Sequence, residues 1–133
     1  MKHIHDSMTM NTKRLERCRT SNELLILGTG NFGKIVFHGL KNNNISVKAF
    51  IDLNPAHIGE SIFGVPIIST NDIPKDAHVI LASNRSNIPY LSKLLNESGV
   101  KSFDNCDFLL EHYDFTGLET EWSLQRCREE MQL

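Results

Sequence analysis

The sequence predicts an α/β domain built on a doubly wound, mainly parallel sheet of about five strands in the order 3-2-1-4-5. Short apolar runs alternate along the chain with segments whose apolar residues recur at helical spacing. The predicted strands cover residues 23–27, 46–51, 64–68, 77–82 and 100–103. Residues 77–82 are almost continuously apolar, as is typical of a central parallel strand. Pro66 has no N–H to donate, which places the third strand at or near an edge.

The helical stripes divide the chain into three predicted regions. A first helix begins near Asn31 and carries an apolar stripe at i, i+3, i+4, i+7 and i+8 that starts at Phe32. A second stripe begins at Tyr90, just after Pro89, which suits the first turn of a helix. We therefore expect a polar N-terminal tail or short helix over residues 1–20, a nucleotide-binding domain over 21–113, and a C-terminal helical extension over 114–133.

A glycine motif lies between the first strand and the first helix. Residues 28–33 read Gly-Thr-Gly-Asn-Phe-Gly, a G-x-G-x-x-G run in the strand–turn–helix context of a Rossmann-like dinucleotide site. Gly28 permits a tight turn, Gly30 lets a pyrophosphate approach the backbone, and Gly33 lets the helix pack close to the sheet. The helix N-terminus offers N–H groups to an anion. The alternative is a tight turn with a purely structural role.

Asp52 ends the second strand, 19 residues after Gly33. An acid about 20 residues beyond the motif can accept hydrogen bonds from the adenosine ribose of NAD; the alternative is a solvated turn residue. Leu53 and Asn54 supply no cation for a 2′-phosphate, so NAD is favoured over NADP. His57, in the loop after Asp52, would lie near adenosine rather than near a reacting ring.

Polar residues also follow the fourth strand, at the point where the strand order reverses. Ser83 and Asn84 stand at the strand end, and Arg85 is either a clamp for a phosphate or carboxylate or an ordinary surface arginine. The predicted cofactor-binding residues are therefore Gly28, Thr29, Gly30, Asn31, Phe32, Gly33, Asp52, Ser83, Asn84 and Arg85. The predicted ligand is NAD or a nucleotide sugar.

Composition narrows the classes of partner and chemistry. The net charge is −2 and the one basic cluster lies within residues 13–19, so no nucleic-acid partner is expected. No apolar run is long enough for a membrane helix, and three widely spaced cysteines fit a reducing cytoplasm. None of the six histidines pairs at i, i+4 with another ligand, and no Ser/His/Asp or Cys/His arrangement is legible. We expect no metal site and no catalytic residue in this chain alone.

The motifs together resemble a particular bacterial module. Residues 26–34 (ILGTGNFGK), 50–55 (FIDLNP), Gly59 and 64–67 (GVPI) resemble the Rossmann-like accessory domain found at the N-terminus of FkbM-type methyltransferases. The resemblance covers residues 24–107 and extends to the N-terminal domains of nucleotide-sugar acetyltransferases and of CapD-like epimerases and dehydratases. It implies a non-catalytic domain of, or partner to, a carbohydrate-modifying enzyme in polysaccharide biosynthesis.

The sequence departs from those families at informative positions. The acetyltransferases tend to carry a histidine in the glycine loop, where this chain has Asn31 and Phe32, and hexapeptide repeats that are not seen here. A methyl-transfer site would need an acid two residues before the first glycine, where Ile26 stands. The alternative interpretation is a small NAD-dependent oxidoreductase or half of a nucleotide-sugar epimerase. Whether the domain forms a homodimer or belongs to a longer enzyme is left open.

Overall fold

The computed structural model describes residues 2–112, with side chains for residues 10–109. Four helices surround six strands in this range. The helices are α1 (Lys2–Thr20), α2 (Asn31–Asn42), α3 (Ile88–Glu97) and α4 (Asp107–His112). The strands are β1 (Leu24–Leu27), β2 (Ala49–Ile51), β3 (Ser61–Ile62), β4 (Val65–Ile68), β5 (His78–Leu81) and β6 (Ser102–Asn105). Short 3-10 turns occupy Pro55–His57, Thr70–Asp72 and Arg85–Asn87.

The six strands form one sheet in the order β3-β4-β2-β1-β5-β6. All pairings are parallel except the β3–β4 hairpin. The predicted fold class is confirmed, because the five predicted strands correspond to β4, β2, β1, β5 and β6 in that spatial order. The pairing of Leu25 with both Ala49 and Val79 shows how β1 sits at the centre of the sheet.

The short edge strand β3 was not predicted from the sequence. It joins β4 through a two-residue turn at Phe63 and Gly64, whose φ angles are 53° and 78°. Two consecutive positive φ values define the turn type that matches the twist of a tight hairpin. Phenylalanine rarely adopts this conformation, so the local sequence did not indicate a hairpin. The Phe63 ring stacks on Phe37 of α2, with centroids 5.1 Å apart, which holds the hairpin against the helix.

Each face of the sheet carries its own apolar layer. One layer includes Ile26 and Ile80 of the sheet, packed against buried residues of α1, α2 and α4. The other includes Leu25 and Val79, packed against α3. Neighbouring residues of β1 and β5 thus point to opposite faces, and all four residues of both strands are buried. Near-continuous burial explains why these strands read as apolar runs.

Helix α1 occupies the region predicted as a polar tail or short helix. Its Cys18 is buried in the apolar layer shared with α2 and α4. Its Arg14 guanidinium donates to both carboxylate oxygens of Asp104, at 2.7 and 3.0 Å, and also bonds Asp107. The same group lies 4.4 Å from the centroid of the Phe108 ring. The division of the chain at residues 20 and 113 stays a prediction, and 114–133 lies outside the described residues.

Candidate nucleotide-binding site

The glycine loop lies at the carboxyl end of β1, where the connections from β1 and β5 diverge. The N–H of Gly28 donates to the carbonyl oxygen of Ile51 at 3.0 Å, which ties the loop to the end of β2. Gly28 has a φ of +129°, and a β-carbon there would lie 2.5 Å from the carbonyl oxygen of Ala82. Glycine is therefore required at position 28 by both conformation and space.

The other two glycines of the motif have different surroundings. A β-carbon at Gly33 would lie 2.0 Å from the carbonyl oxygen of Gly28, so the helix packs backbone to backbone against the loop. At Gly30 an added β-carbon would meet nothing within 4 Å. Gly30 is the N-cap of α2, and no side chain caps the helix there. The loop thus presents open space in front of a helix N-terminus, which is the geometry that accepts a phosphate group.

The outer residues of the loop divide between the surface and the core. Asn31 is exposed and Phe32 is half-buried against the apolar layer beneath α2. Thr29 is half-buried, and its hydroxyl donates to Asp52 Oδ2 at 2.8 Å. Phe32 therefore anchors the start of the helix, while Thr29 connects the glycine loop to the end of β2.

Asp52 accepts several hydrogen bonds at the carboxyl end of β2, beside the glycine loop. Its Oδ1 accepts the N–H of Asn54 at 2.9 Å, and its Oδ2 accepts Thr29 and lies 2.6 Å from His57 Nδ1. The side chain is 13% exposed, so it can still be reached from solvent. His57 was predicted to lie in this loop, but its contact with Asp52 was not predicted. The 3-10 turn Pro55–His57, capped by the Asn54 side chain, brings the imidazole back to the carboxylate.

These contacts shift the pKa values of both Asp52 and His57. Partial burial of the Asp52 carboxyl opposes its ionisation, but hydrogen bonds from Asn54, His57 and Thr29 outweigh burial and hold the pKa of Asp52 below its ordinary value. The hydrogen bond to Asp52 raises the pKa of His57, with a further contribution from the charge of Glu60. The pair is consequently an ion pair over a wide range that includes mildly acidic pH.

The loop after β5 forms the other side of the candidate site, at the carboxyl ends of the parallel strands. Asn84 Oδ1 accepts the Ser86 hydroxyl at 2.8 Å and the Asn87 N–H at 3.2 Å, while Asn87 Nδ2 donates to Ser83 Oγ at 3.1 Å. Asn84 thereby organises the 3-10 turn that precedes α3. Arg85 is exposed and has no ion pair with any residue in the range 10–109. The role of this loop toward a ligand stays a prediction.

The described residues offer little for other chemistry. No group of three or more His, Cys, Asp or Glu side chains within the described part of the chain could hold a metal ion. Burial raises the pKa of the Cys18 thiol to about 12, so this cysteine is an inert core residue. Every helix among residues 2–112 is too short or too polar to cross a bilayer.

The fold and the glycine loop define the class of protein: a Rossmann-like α/β domain with an open helix N-terminus beside an acidic residue. The chain belongs to the CoA-binding domain family, whose model matches residues 20–102. It is 38% identical over 63 residues to the redox-sensing transcriptional repressor Rex of Bacillus velezensis, covering 46% of this chain and 29% of the relative. The Rex repressor of Listeria welshimeri is 38% identical over 64 residues, covering 47% and 29% of the two chains.

Solved structures show the same fold. A Rex-family repressor, RSP, in complex with β-NADH superimposes with a TM-score of 0.50 and 22% identity, covering 75% of this chain and 52% of that one. The complex of RSP with β-NAD+ and operator DNA gives a TM-score of 0.52 and 21% identity, covering 75% and 50%. NAD, the predicted cofactor, is thus the ligand in these structural relatives. The chain spans about 29% of the length of the curated relatives it matches.

Two predictions are overturned by these comparisons. The resemblance to FkbM-type methyltransferase accessory domains is wrong, since the match is to the CoA-binding domain family and to Rex repressors. The glycine loop and acid meet a need that all dinucleotide-binding modules share, so these motifs do not distinguish one module from another. The methyltransferase and polysaccharide roles accordingly lose their support.

The expectation of no nucleic-acid partner is also wrong, because a structural relative was solved with operator DNA. That expectation came from a net charge of −2 over this chain alone. An overall charge does not report the local basic surfaces through which proteins contact DNA, nor any surface that a longer relative carries elsewhere.

Proposed function

We propose that this chain is an NAD(H)-binding domain of the Rex type, in which nucleotide binding is a signal rather than the start of a reaction. The observation that carries the proposal is the open space at Gly30, at the N-terminus of α2 and one residue from the Thr29–Asp52 hydrogen bond. The Rex relatives and the NADH-bound structural neighbour support it.

In this proposal the loops after β1 and β2 receive one part of the dinucleotide, and the loop after β5 receives the other. The pyrophosphate lies against residues 28–33, where backbone N–H groups and the helix dipole favour negative charge. The adenosine ribose donates to Asp52. Ser83, Asn84 and Arg85 line the side beyond β5, toward the second nucleotide. The ten predicted cofactor-binding residues remain our assignment for this ligand.

Coenzyme A is the second candidate, because the family model that matches residues 20–102 is that of a CoA-binding domain. Its adenosine ribose carries a 3′-phosphate, whereas the ribose next to the adenine of NAD carries two free hydroxyls. A carboxylate at the ribose position accepts hydroxyls and repels a phosphate. The lowered pKa of Asp52 keeps that carboxylate charged, which favours NAD over CoA.

The relatives also indicate the role of the domain. Rex proteins are redox-sensing transcriptional repressors. We propose that residues 21–113 supply the nucleotide sensor, that NADH and NAD+ bind with different affinities, and that the chain acts in the cytoplasm, where bacterial transcription takes place. Repressor activity belongs to the longer relatives and is for this chain a proposal.

Calorimetric titration of the full chain with NADH, NAD+, CoA and a UDP-sugar tests the ligand. We expect both forms of NAD to bind and Gly30→Val to weaken them at least about tenfold, because its side chain fills the space for the pyrophosphate. Lys75→Ala is the control, since Lys75 is exposed just before β5, at the amino ends of the strands and away from the candidate site. CoA binding tighter than both forms of NAD would favour the second candidate. Absence of NAD binding by a folded parent chain would reject the proposal.

A further inference from the structure

The acceptor capacity of Asp52 is nearly filled before any nucleotide binds. A carboxylate offers about four lone-pair sites to donors. Three are occupied: Oδ1 by the Asn54 N–H at 2.9 Å, and Oδ2 by Thr29 at 2.8 Å and His57 at 2.6 Å. A ribose diol brings two further O–H donors. With about one site left, one of the present donors must leave for both hydroxyls to bind.

Of the three donors, His57 is the one able to leave. The Asn54 N–H belongs to the backbone two residues away, and Thr29 is half-buried in the glycine loop. The His57 side chain is 48% exposed at the end of a 3-10 turn, and Asp52 is its one hydrogen-bond partner within the described residues. Rotation of this side chain toward solvent frees one acceptor site on Oδ2 without moving the loop or the strand, while Thr29 keeps its bond to the same oxygen.

Protonation determines how firmly His57 is held. The charged groups that act on it are Asp52, at the end of β2, and Glu60, just before β3, and both favour the imidazolium. A charge-assisted bond between imidazolium and carboxylate is stronger than the bond from a neutral ring. The ring is therefore harder to displace when it carries a proton.

We propose that His57 competes with the ribose for Asp52 and that release of its proton opens the nucleotide site. The inference rests on the proposed NAD binding and describes how that site is regulated. Affinity for the dinucleotide increases as pH rises through the ionisation of His57 and reaches a plateau above it. By linkage, nucleotide binding also favours the neutral form of His57.

Titration of the full chain with NAD+ between about pH 5.5 and about pH 8.5 tests this competition, since a histidine ionises within that range. We expect the affinity of the parent chain to rise by about two- to fivefold across the range, which corresponds to the contribution of one ion pair with an exposed partner. His57→Ala should bind NAD+ with little pH dependence and more tightly than the parent at the acidic end. His38→Gln is the matched control, because His38 lies on α2 against Phe63 and should leave the pH dependence intact.

A second measurement separates competition from a general effect of acid. The His57 imidazole, followed by NMR, should titrate at lower pH with NAD+ present than without it. Pronounced pH dependence that persists in His57→Ala, or a His57 titration that NAD+ leaves unchanged, would overturn the inference while NAD binding stands. Absence of NAD+ binding by the parent chain at every pH would reject the proposed function, and the inference with it.

Discussion

Gly33 on α2 and Gly28 in the preceding loop touch backbone to backbone, so closely that a β-carbon at position 33 would lie 2.0 Å from the Gly28 carbonyl oxygen. Gly28 is in turn pressed against the end of β5, where a β-carbon would lie 2.5 Å from the carbonyl oxygen of Ala82. The two contacts hold the loop between helix and sheet. The N-terminus of α2 can lie this close to the sheet only because positions 28 and 33 are glycines.

Gly33→Ala should destabilise the domain by about 1–3 kcal/mol, because the methyl group has only backbone atoms to displace. Gly30→Ala is the matched control: its methyl group meets nothing within 4 Å, so the loss should be at most about 1 kcal/mol, the cost of alanine at an N-cap. Urea unfolding followed by circular dichroism measures both. Equal stability of the two variants would mean that the helix can shift away from the loop at negligible cost.

Asp52→Ala should weaken NAD+ binding by about 1.5–3 kcal/mol, the range for hydrogen bonds to a charged group. Calorimetry at neutral pH measures the change. Asp76→Ala removes an exposed carboxylate at the amino end of β5, away from the candidate site, and serves as the control. If both variants bind like the parent, Asp52 is a turn residue and the ribose lies elsewhere.

Arg14→Ala should destabilise the domain by about 2–3 kcal/mol, because it leaves the half-buried Asp104 and Asp107 carboxylates without their cation. Arg17→Ala, an exposed position on the same helix, should have a much smaller effect. Thermal unfolding of the two variants provides the comparison. A loss as large for Arg17→Ala would indicate that the effect of Arg14→Ala does not come from its pairing with Asp104 and Asp107.

His78 should make the domain sensitive to mild acid. Burial holds the pKa of His78 below 6.5, and its Nε2 is buried without a hydrogen-bond partner within the described residues. The unfolded chain therefore takes up a proton first as the pH falls. The stability associated with neutral His78 is present above pH 6.5 and is lost as the pH falls through the lowered folded-state value.

His78→Asn tests this dependence, because asparagine can keep the 2.7 Å contact of Nδ1 with the Ser102 hydroxyl and does not titrate. The variant should lose less stability than the parent between neutral and mildly acidic pH in urea unfolding. The ionisation of His57 acts in the opposite direction, since its pKa is raised and its stabilisation fades as the pH rises. The difference between parent and variant isolates His78, and identical pH profiles would contradict the prediction.

Local patterns carried the prediction of the fold and of the glycine loop. The four buried residues of β1 and of β5 read as apolar runs because both faces of the sheet are covered. Gly28 and Gly33 were predictable because they belong to a motif that is read within one strand–turn–helix unit, although the space at Gly28 is limited by Ala82 at the end of β5. The family was not predictable, since unrelated users of dinucleotides need the same loop and the same acid.

By itself the sequence determined the order of the five parallel strands, the glycine loop and the position of Asp52 at the end of β2. Tertiary structure alone decided that Arg14 would meet Asp104, that Phe63 would close a hairpin against Phe37, and that His57 would lie on Asp52. The first group depends on spacing within neighbouring segments, where periodicity and turn chemistry act. The contacts of Arg14 and Phe63 depend on how a helix and a hairpin pack onto elements that are distant in the sequence, which packing and charge decide only once the sheet is assembled. The contact of His57 is local, but it depends on the geometry of the 3-10 turn Pro55–His57, which residue spacing alone does not specify.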